Sequence, residues 1–302
     1  MLSQNWPIHA HGINRGMALM RIGSAMGLNN TRIAAAACAM AAMILPTSIE
    51  AAPPNEIAIS YEVEVGSMSA MLISYNAAFS GETYQSTASI KTKGLASLFS
   101  DYQMEMASSG SLEGDGLKPR QYRSKQERKS DAKILEVKWP SDDAPAVNSI
   151  PKDREDEALV APALTSGLVD PLSMLLRMTA LQTGKPCQSV ERVLDGREVY
   201  DLSFTLAGEV KLKGDNPGAY RGPAFKCTMT YTPVGGRPAV KYRKTGGVPS
   251  IFEIWFAPVR SGASNEALFV PVLATGKLQG LSFVAYARKA NIGGQPISAA
   301  NN

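Results

Sequence analysis

Apolar and polar residues alternate with a period of two along most of the chain beyond residue 55. Ile57, Ile59, Tyr61, Val63 and Val65 alternate with Ala58, Ser60, Glu62 and Glu64. The pattern returns at Met71–Phe79 (Met71, Ile73, Tyr75, Ala77, Phe79), at Tyr84, Ser86, Ala88 and Ile90, at Tyr102, Met104 and Met106, and at Leu135, Val137 and Trp139. Further on, Tyr200, Leu202, Phe204 and Leu206 form one set, and Phe225, Cys227, Met229 and Tyr231 another. Successive side chains of a strand point to opposite faces, so each segment has one face to bury and one to hydrate, as in an antiparallel sheet. Segments 251–257 and 278–287 are apolar on both faces and are expected as central, doubly covered strands. Asp195-Gly196, between Val190–Leu194 and Val199–Leu206, predicts a hairpin. Helix is scarce. Asp170 as cap, Pro171 at the first helical position and Gly184 as terminator predict one helix over 170–181, with Leu172, Leu175, Leu176 and Met178 as its buried stripe. A shorter turn is expected at Leu95–Phe99. The predicted fold is mainly β: a curved antiparallel sheet or partly open β-barrel with one or two short helices.

Two stretches are strongly polar. Residues 118–133 carry seven Lys and Arg against Glu127 and Asp131; they read as a solvated strand pair that could touch anionic headgroups. Residues 141–157 mix both signs and are expected as an exposed loop.

The N-terminal region breaks the alternation. Residues 1–32 hold Arg15, Arg21 and Arg32 and no acid, and residues 33–45 carry no charge. Pro46 follows, then Ala51 and Ala52. A basic segment, a short apolar run and a small-residue exit describe a secretory signal peptide, and thirteen residues are fewer than the roughly 20 a membrane-spanning helix needs. A lipoprotein anchor at Cys38 is the lesser reading. The expected organisation is therefore a removable leader at 1–51, a short linker at 52–55, a single antiparallel β domain at 56–290 and a flexible tail at 291–302, in a periplasmic protein.

Removing the leader lowers the net charge from +4 to +2, too little to imply nucleic acid as a partner. It also removes His9 and His11, the only histidines. A Ser-His-Asp or Cys-His arrangement is then impossible, and so is a zinc site with His ligands. Cys187 and Cys227 remain, an even pair that suggests a disulfide in an exported chain. There is no Gly-rich phosphate loop. Ser130–Lys133 and Ser149–Lys152 match Ser-x-x-Lys, but that motif works at a helix start and both lie in polar stretches. Glu62 and Glu64 share a strand face and read as solvated. No catalytic residue, metal ligand or cofactor is expected.

Several segments, taken in order, resemble an exported bacterial family known as domain of unknown function 3108. They are Thr92–Tyr102, Gly116–Tyr122, Asp170-Pro-Leu-Ser-Met174, Asp195–Leu202, Cys227–Gly236 and the stretch from Val270-Pro-Val to Tyr286. The resemblance implies an envelope protein with a mostly antiparallel β fold and no assigned catalytic residue. The residues themselves suggest a non-enzymatic protein. Its candidate apolar-ligand face is Tyr61, Tyr75, Phe79, Tyr84, Tyr102, Met104, Met106, Phe204, Met229 and Tyr231, inward-facing on a chain with little helix to cover it. The expected partner classes are a lipid or other apolar ligand, then an envelope protein, with peripheral membrane contact. An adaptor role is the alternative, and a carboxylate-dependent hydrolase the least favoured.

Overall fold

The computed structural model describes residues 55–99, 101–114, 116–129, 131–140, 144–152, 167–181, 186–216, 218–236, 250–260, 267–278 and 280–297. Within them the alternating segments become strands. These are β1 (Glu56–Val65), β2 (Met68–Ser80), β3 (Thr83–Thr92), β4 (Tyr102–Glu113), β5 (Gly116–Arg128), β6 (Asp131–Lys138) and β7 (Ala146–Ile150). Then come β8 (Val190–Leu194), β9 (Val199–Leu212), β10 (Gly222–Gly235), β11 (Ser250–Arg260), β12 (Ala267–Leu278), β13 (Leu281–Ile292) and β14 (Gln295–Pro296). They form one antiparallel sheet in the order β7-β6-β5-β4-β3-β2-β1-β13-β12-β11-β10-β9-β8, with β14 added to β13. The polar stretch 118–133 is the β5–β6 strand pair, while 146–150, expected within an exposed loop, forms the edge strand β7.

The sheet curves but does not close through hydrogen bonds. The β8–β9 turn, near one edge, packs against Leu135 and Val137 of β6, near the other, so closely that a Cβ on Gly196 would collide with both. Inside the curve lies the helix, α2 (Pro171–Leu176), continued by a π turn at Arg177–Leu181. Its packing partners come from both arms of the sheet: β3, β4 and β5 on one side, β8 and β12 on the other. Leu172, Leu176 and Met178 of the predicted stripe are buried, and Leu175 half-buried. Gly184 lies outside the described residues. The short turn expected at Leu95–Phe99 is α1 (Ala96–Phe99).

Two apolar clusters form the core. The larger joins Ile57, Tyr75, Tyr84, Tyr122 and Val137 to Leu172, Leu176, Val199, Val270 and Ile292. The smaller gathers Met178, Leu202, Phe204, Phe256 and Phe269 around Cys187 and Cys227, which are joined as a disulfide with Cα atoms 5.9 Å apart.

Two sequence expectations need correction. Segment 251–257 lies in β11, where consecutive Trp255, Phe256 and Ala257 are buried, as a doubly covered strand requires. Segment 278–287, however, is not one strand: Leu278 pairs with Leu281 across a turn at Gly280, whose φ is +85°. The strand before that turn, β12, was not expected, because Phe269, Val270 and Val272 are buried without alternation and Pro271 interrupts the run. Pro271 is tolerated because β13 pairs with β12 only from Leu273 onward and a bulge in the β11 pairing falls beside it. Strand pairing also passes the expected boundary at 290: Ile292 is buried, and β14 folds back onto β13.

Candidate functional site

The candidate site is built on an irregularity between β1 and β13. Ser60 lies opposite Lys289 and Tyr61 opposite Ala287, so Arg288 is an extra residue without a partner on β1. Such a bulge re-aims side chains. Ala287 and Ala290 remain buried, while Arg288 and Lys289 both reach the exposed side as immediate neighbours.

Arg288 turns toward β1. Glu62 is 6% exposed and accepts from Ser69 Oγ at 2.5 Å, from Arg288 Nη1 at 2.8 Å and from Lys93 Nζ at 3.2 Å. The Ser69 hydroxyl first, and then the two cations, hold its carboxyl below the usual glutamate value against the cost of burial. The expectation of a solvated outer face therefore fails at Glu62. Glu64 accepts from Tyr286 at 3.2 Å and from Asn216 Nδ2 at 3.0 Å. Asn216 belongs to the β9–β10 connection, and its side chain ties that connection to β1.

Beside the bulge is a cavity of about 670 Å³. Its apolar wall is Ile59, Val272, Ala287, Ala290, Tyr220 and Ile297, and Ser60, Asn76 and Asn291 add polar groups. The β9–β10 connection (218–221) and the end of the described chain (296–297) complete it. Ile297 is held by its N–H on the Ala290 carbonyl at 2.8 Å. Arg221, Arg288 and Lys289 are its charged lining residues, with no acid among them. A smaller cavity of about 360 Å³ lies over β2–β5, between Ser74, Thr87, Ser89, Met106 and Arg123.

The ten residues of the sequence-predicted face do not come together there. Tyr75 and Tyr84 are buried in the larger core cluster, with Tyr61, Phe79 and Met106 packed against it. Phe204 is in the smaller cluster, with Met229 and Tyr231 against it. Tyr102 and Met104 are half-buried, and the Tyr102 hydroxyl lies 3.3 Å from the Met104 sulfur. Of the ten, only Met106 lines either cavity. A usable signal for the larger cavity was Arg288-Lys289, two adjacent cations directly after a run that is apolar on both faces.

Two other polar groupings stand out, one buried and one half-buried. Asp170 caps α2, accepting from the Leu172 and Ser173 N–H groups at 2.9 and 3.0 Å and from Ser108 Oγ at 2.7 Å. Ser173 Oγ also donates to it and lies 2.6 Å from the Tyr84 hydroxyl. Burial pushes the Asp170 carboxyl up, and these donors oppose the shift. At the β8–β9 turn, Asp195 accepts from the Arg197 and Glu198 N–H groups at 2.8 and 2.9 Å. Glu198 accepts from the Tyr231 hydroxyl at 2.8 Å, and burial lifts its carboxyl to about 7. Neither Ser-x-x-Lys match stands at a helix start: Ser149 is on β7, Lys133 is on β6, and Ser130 lies outside the described residues.

No group of three or more metal-ligating side chains occurs among the described residues. No helix among them is long and apolar enough to cross a membrane.

Comparison with curated proteins finds no match to the chain. Among solved structures, it is similar to a beta-barrel-like protein of domain of unknown function DUF1849 from Brucella abortus. The identity is 13% and the TM-score 0.47, over 80% of this chain and 99% of that one. The model of the family described as "Protein of unknown function (DUF3108)" matches residues 60–274, a span from the bulged strand β1 through α2 to β12, and the chain belongs to that family.

Proposed function

We propose that the chain is an exported, non-enzymatic binding protein whose cavity at the β1–β13 bulge holds a lipid, an acyl chain or another apolar ligand. The observation that carries the reading is the cavity itself. Its volume of about 670 Å³ falls in the ordinary range for small-molecule sites, and the core residues Ile59, Val272, Ala287 and Ala290 form part of its wall. Export to the periplasm is supported by the leader-like residues 1–51 and by the Cys187–Cys227 disulfide. Contact with ~300 Å² of acyl chain at about 25 cal/mol per Å² offers ~7 kcal/mol before association costs, short of the ~8 kcal/mol of micromolar binding, so polar contacts must add to the chain's contribution.

An environment-sensitive apolar probe is expected to bind the folded protein at one site. Ala58 lines the cavity on β1, so Ala58→Trp should fill it and abolish uptake while the circular dichroism spectrum stays unchanged. Met104→Glu, on the sequence-predicted face, should not displace the probe from a protein that still folds. No uptake by folded protein, or uptake indifferent to Ala58→Trp, would overturn the reading.

A second reading, an adaptor for another envelope protein, draws on three apolar side chains at neighbouring turns. Met68, Leu95 and Leu281 are 56%, 60% and 63% exposed. The turns that carry them are joined by hydrogen bonds from Gly66 N–H to Ser282 and from Lys93 N–H to Ala70. A photo-crosslinker at Leu281 that captures no envelope protein would remove this reading.

A further inference from the structure

We infer that the ligand of the bulge cavity is an anionic amphiphile, whose carboxylate or phosphate head is held by Lys289 and Arg221 while its chain lies on the apolar wall. The inference rests on the cavity being a ligand site and adds the chemistry of the head.

The first observation is one of sign. Among the described residues, three cations line the cavity and no carboxylate does. A fold that needed only solubility here would place mixed charges around an opening, whereas a cluster of one sign attracts the opposite charge. The second is how the three cations are engaged. Arg288 is committed to Glu62 through Nη1. Lys289 has no ion-pair or hydrogen-bond partner among the described residues. Arg221 has a single long contact, from Nη2 to the Gly214 carbonyl at 3.5 Å. Among the described residues, two of the three positive charges are therefore left for a ligand, and the third is held in place beside them.

The third observation is placement. The bulge sets Lys289 directly before Ala290 and one residue beyond Arg288, so the cations border the apolar wall. Arg221 comes from a different element, the β9–β10 connection. Its side chain lies against Gly214, whose φ of +68° and lack of a Cβ leave room for it. Gly218 on the same connection approaches Arg288 Nε, where even a Cβ would come within 4.0 Å. An apolar wall bordered by cations on two elements matches a molecule with a short anionic end and a long apolar one.

The test uses the full mature chain. Dodecanoate, dodecyl phosphate, the uncharged ester methyl dodecanoate and inorganic phosphate are titrated against the bound apolar probe. Dodecanoate or dodecyl phosphate should displace it at concentrations about tenfold or more below the ester, an advantage that shrinks as salt is raised. Inorganic phosphate should not displace it. In Lys289→Glu/Arg221→Glu the anionic advantage should vanish or reverse while the ester still displaces the probe. Lys289→Gln/Arg221→Gln repeats the measurement should the Glu variant fail to fold. Equal displacement by ester and anions in the wild type overturns the inference, as does an advantage that survives in the variants. Competition by inorganic phosphate alone also overturns it in favour of a simple anion site. Failure of the apolar reading has a different signature, absence of probe uptake altogether, and it takes this inference with it.

Discussion

At Glu198 one carboxyl sets a pH dependence that sequence gave no hint of. Burial first, and then the charge of Asp195, raises it from 4.5 to about 7 against the Tyr231 hydrogen bond, so between those values the folded chain binds more protons than the unfolded one. Stability from this group is present at low pH and declines as pH rises through that window. Glu62 has the opposite sign: its lowered carboxyl contributes above the ordinary glutamate value, and that contribution is lost as pH falls through its folded pKa. Urea unfolding at about pH 5 and about pH 8 should therefore show a loss in the wild type that is smaller in Glu198→Gln. Equal changes in the two proteins would show that Glu198 does not titrate in this range. Each residue looks ordinary in the sequence: Glu62 is a glutamate on the polar side of a strand, and Glu198 is one beside a turn. What distinguishes them is supplied by remote parts of the chain: Arg288 lies 226 residues from Glu62, and Tyr231 lies 33 from Glu198.

The helix is the element that ties the two arms of the sheet together, and Asp170 is its anchor. The carboxylate joins the first turn of α2 to Ser108 on β4, and through Ser173 to Tyr84 on β3. Losing the cap costs about 1 kcal/mol, and each buried hydroxyl left without an acceptor about 1–3 kcal/mol more. Asp170→Ala should therefore lower stability by at least about 2 kcal/mol in urea unfolding. Asp170→Asn keeps an accepting oxygen for the helix N–H groups and should lose less. Equal losses would mean that the accepting oxygen Asn retains contributes nothing and that the cap is not what Asp170 supplies. Cap, proline and apolar stripe made this helix legible from sequence, because they are local requirements of a helix start. β12 was not legible: it is covered on both faces, so it carries no alternation, and its proline argues against a strand until the neighbouring register is known.

At the scale of the whole molecule, the disulfide and the compartment stand or fall together. The bond spans a sequence separation of 40 residues and stabilises by at most about 4 kcal/mol on chain-entropy grounds. Protein recovered from the envelope should begin near Ala51–Pro54 and show no free thiol when labelled under denaturing, non-reducing conditions. Its Cys227→Ser variant should unfold at lower urea and be insensitive to reductant. Three labelled thiols, Cys38, Cys187 and Cys227, on a chain that keeps its leader would contradict both. The sequence by itself determined the antiparallel β class, most of the strands, the helix with its cap, the hairpin at Asp195-Gly196 and the family, because strand faces, caps and turns are written in neighbouring residues. Only the tertiary structure decided where a cavity lies. The inward Tyr and Met residues of the predicted face look alike along the chain, yet they are divided between two packed clusters and a half-buried pair once the sheet curves around α2. The cavity arises instead where one extra residue, Arg288, shifts the register of β13 against β1, and where Asn216, 152 residues from Glu64, brings the β9–β10 connection to that strand. Register and long-range closure depend on pairings between distant segments, and no local period of two records them.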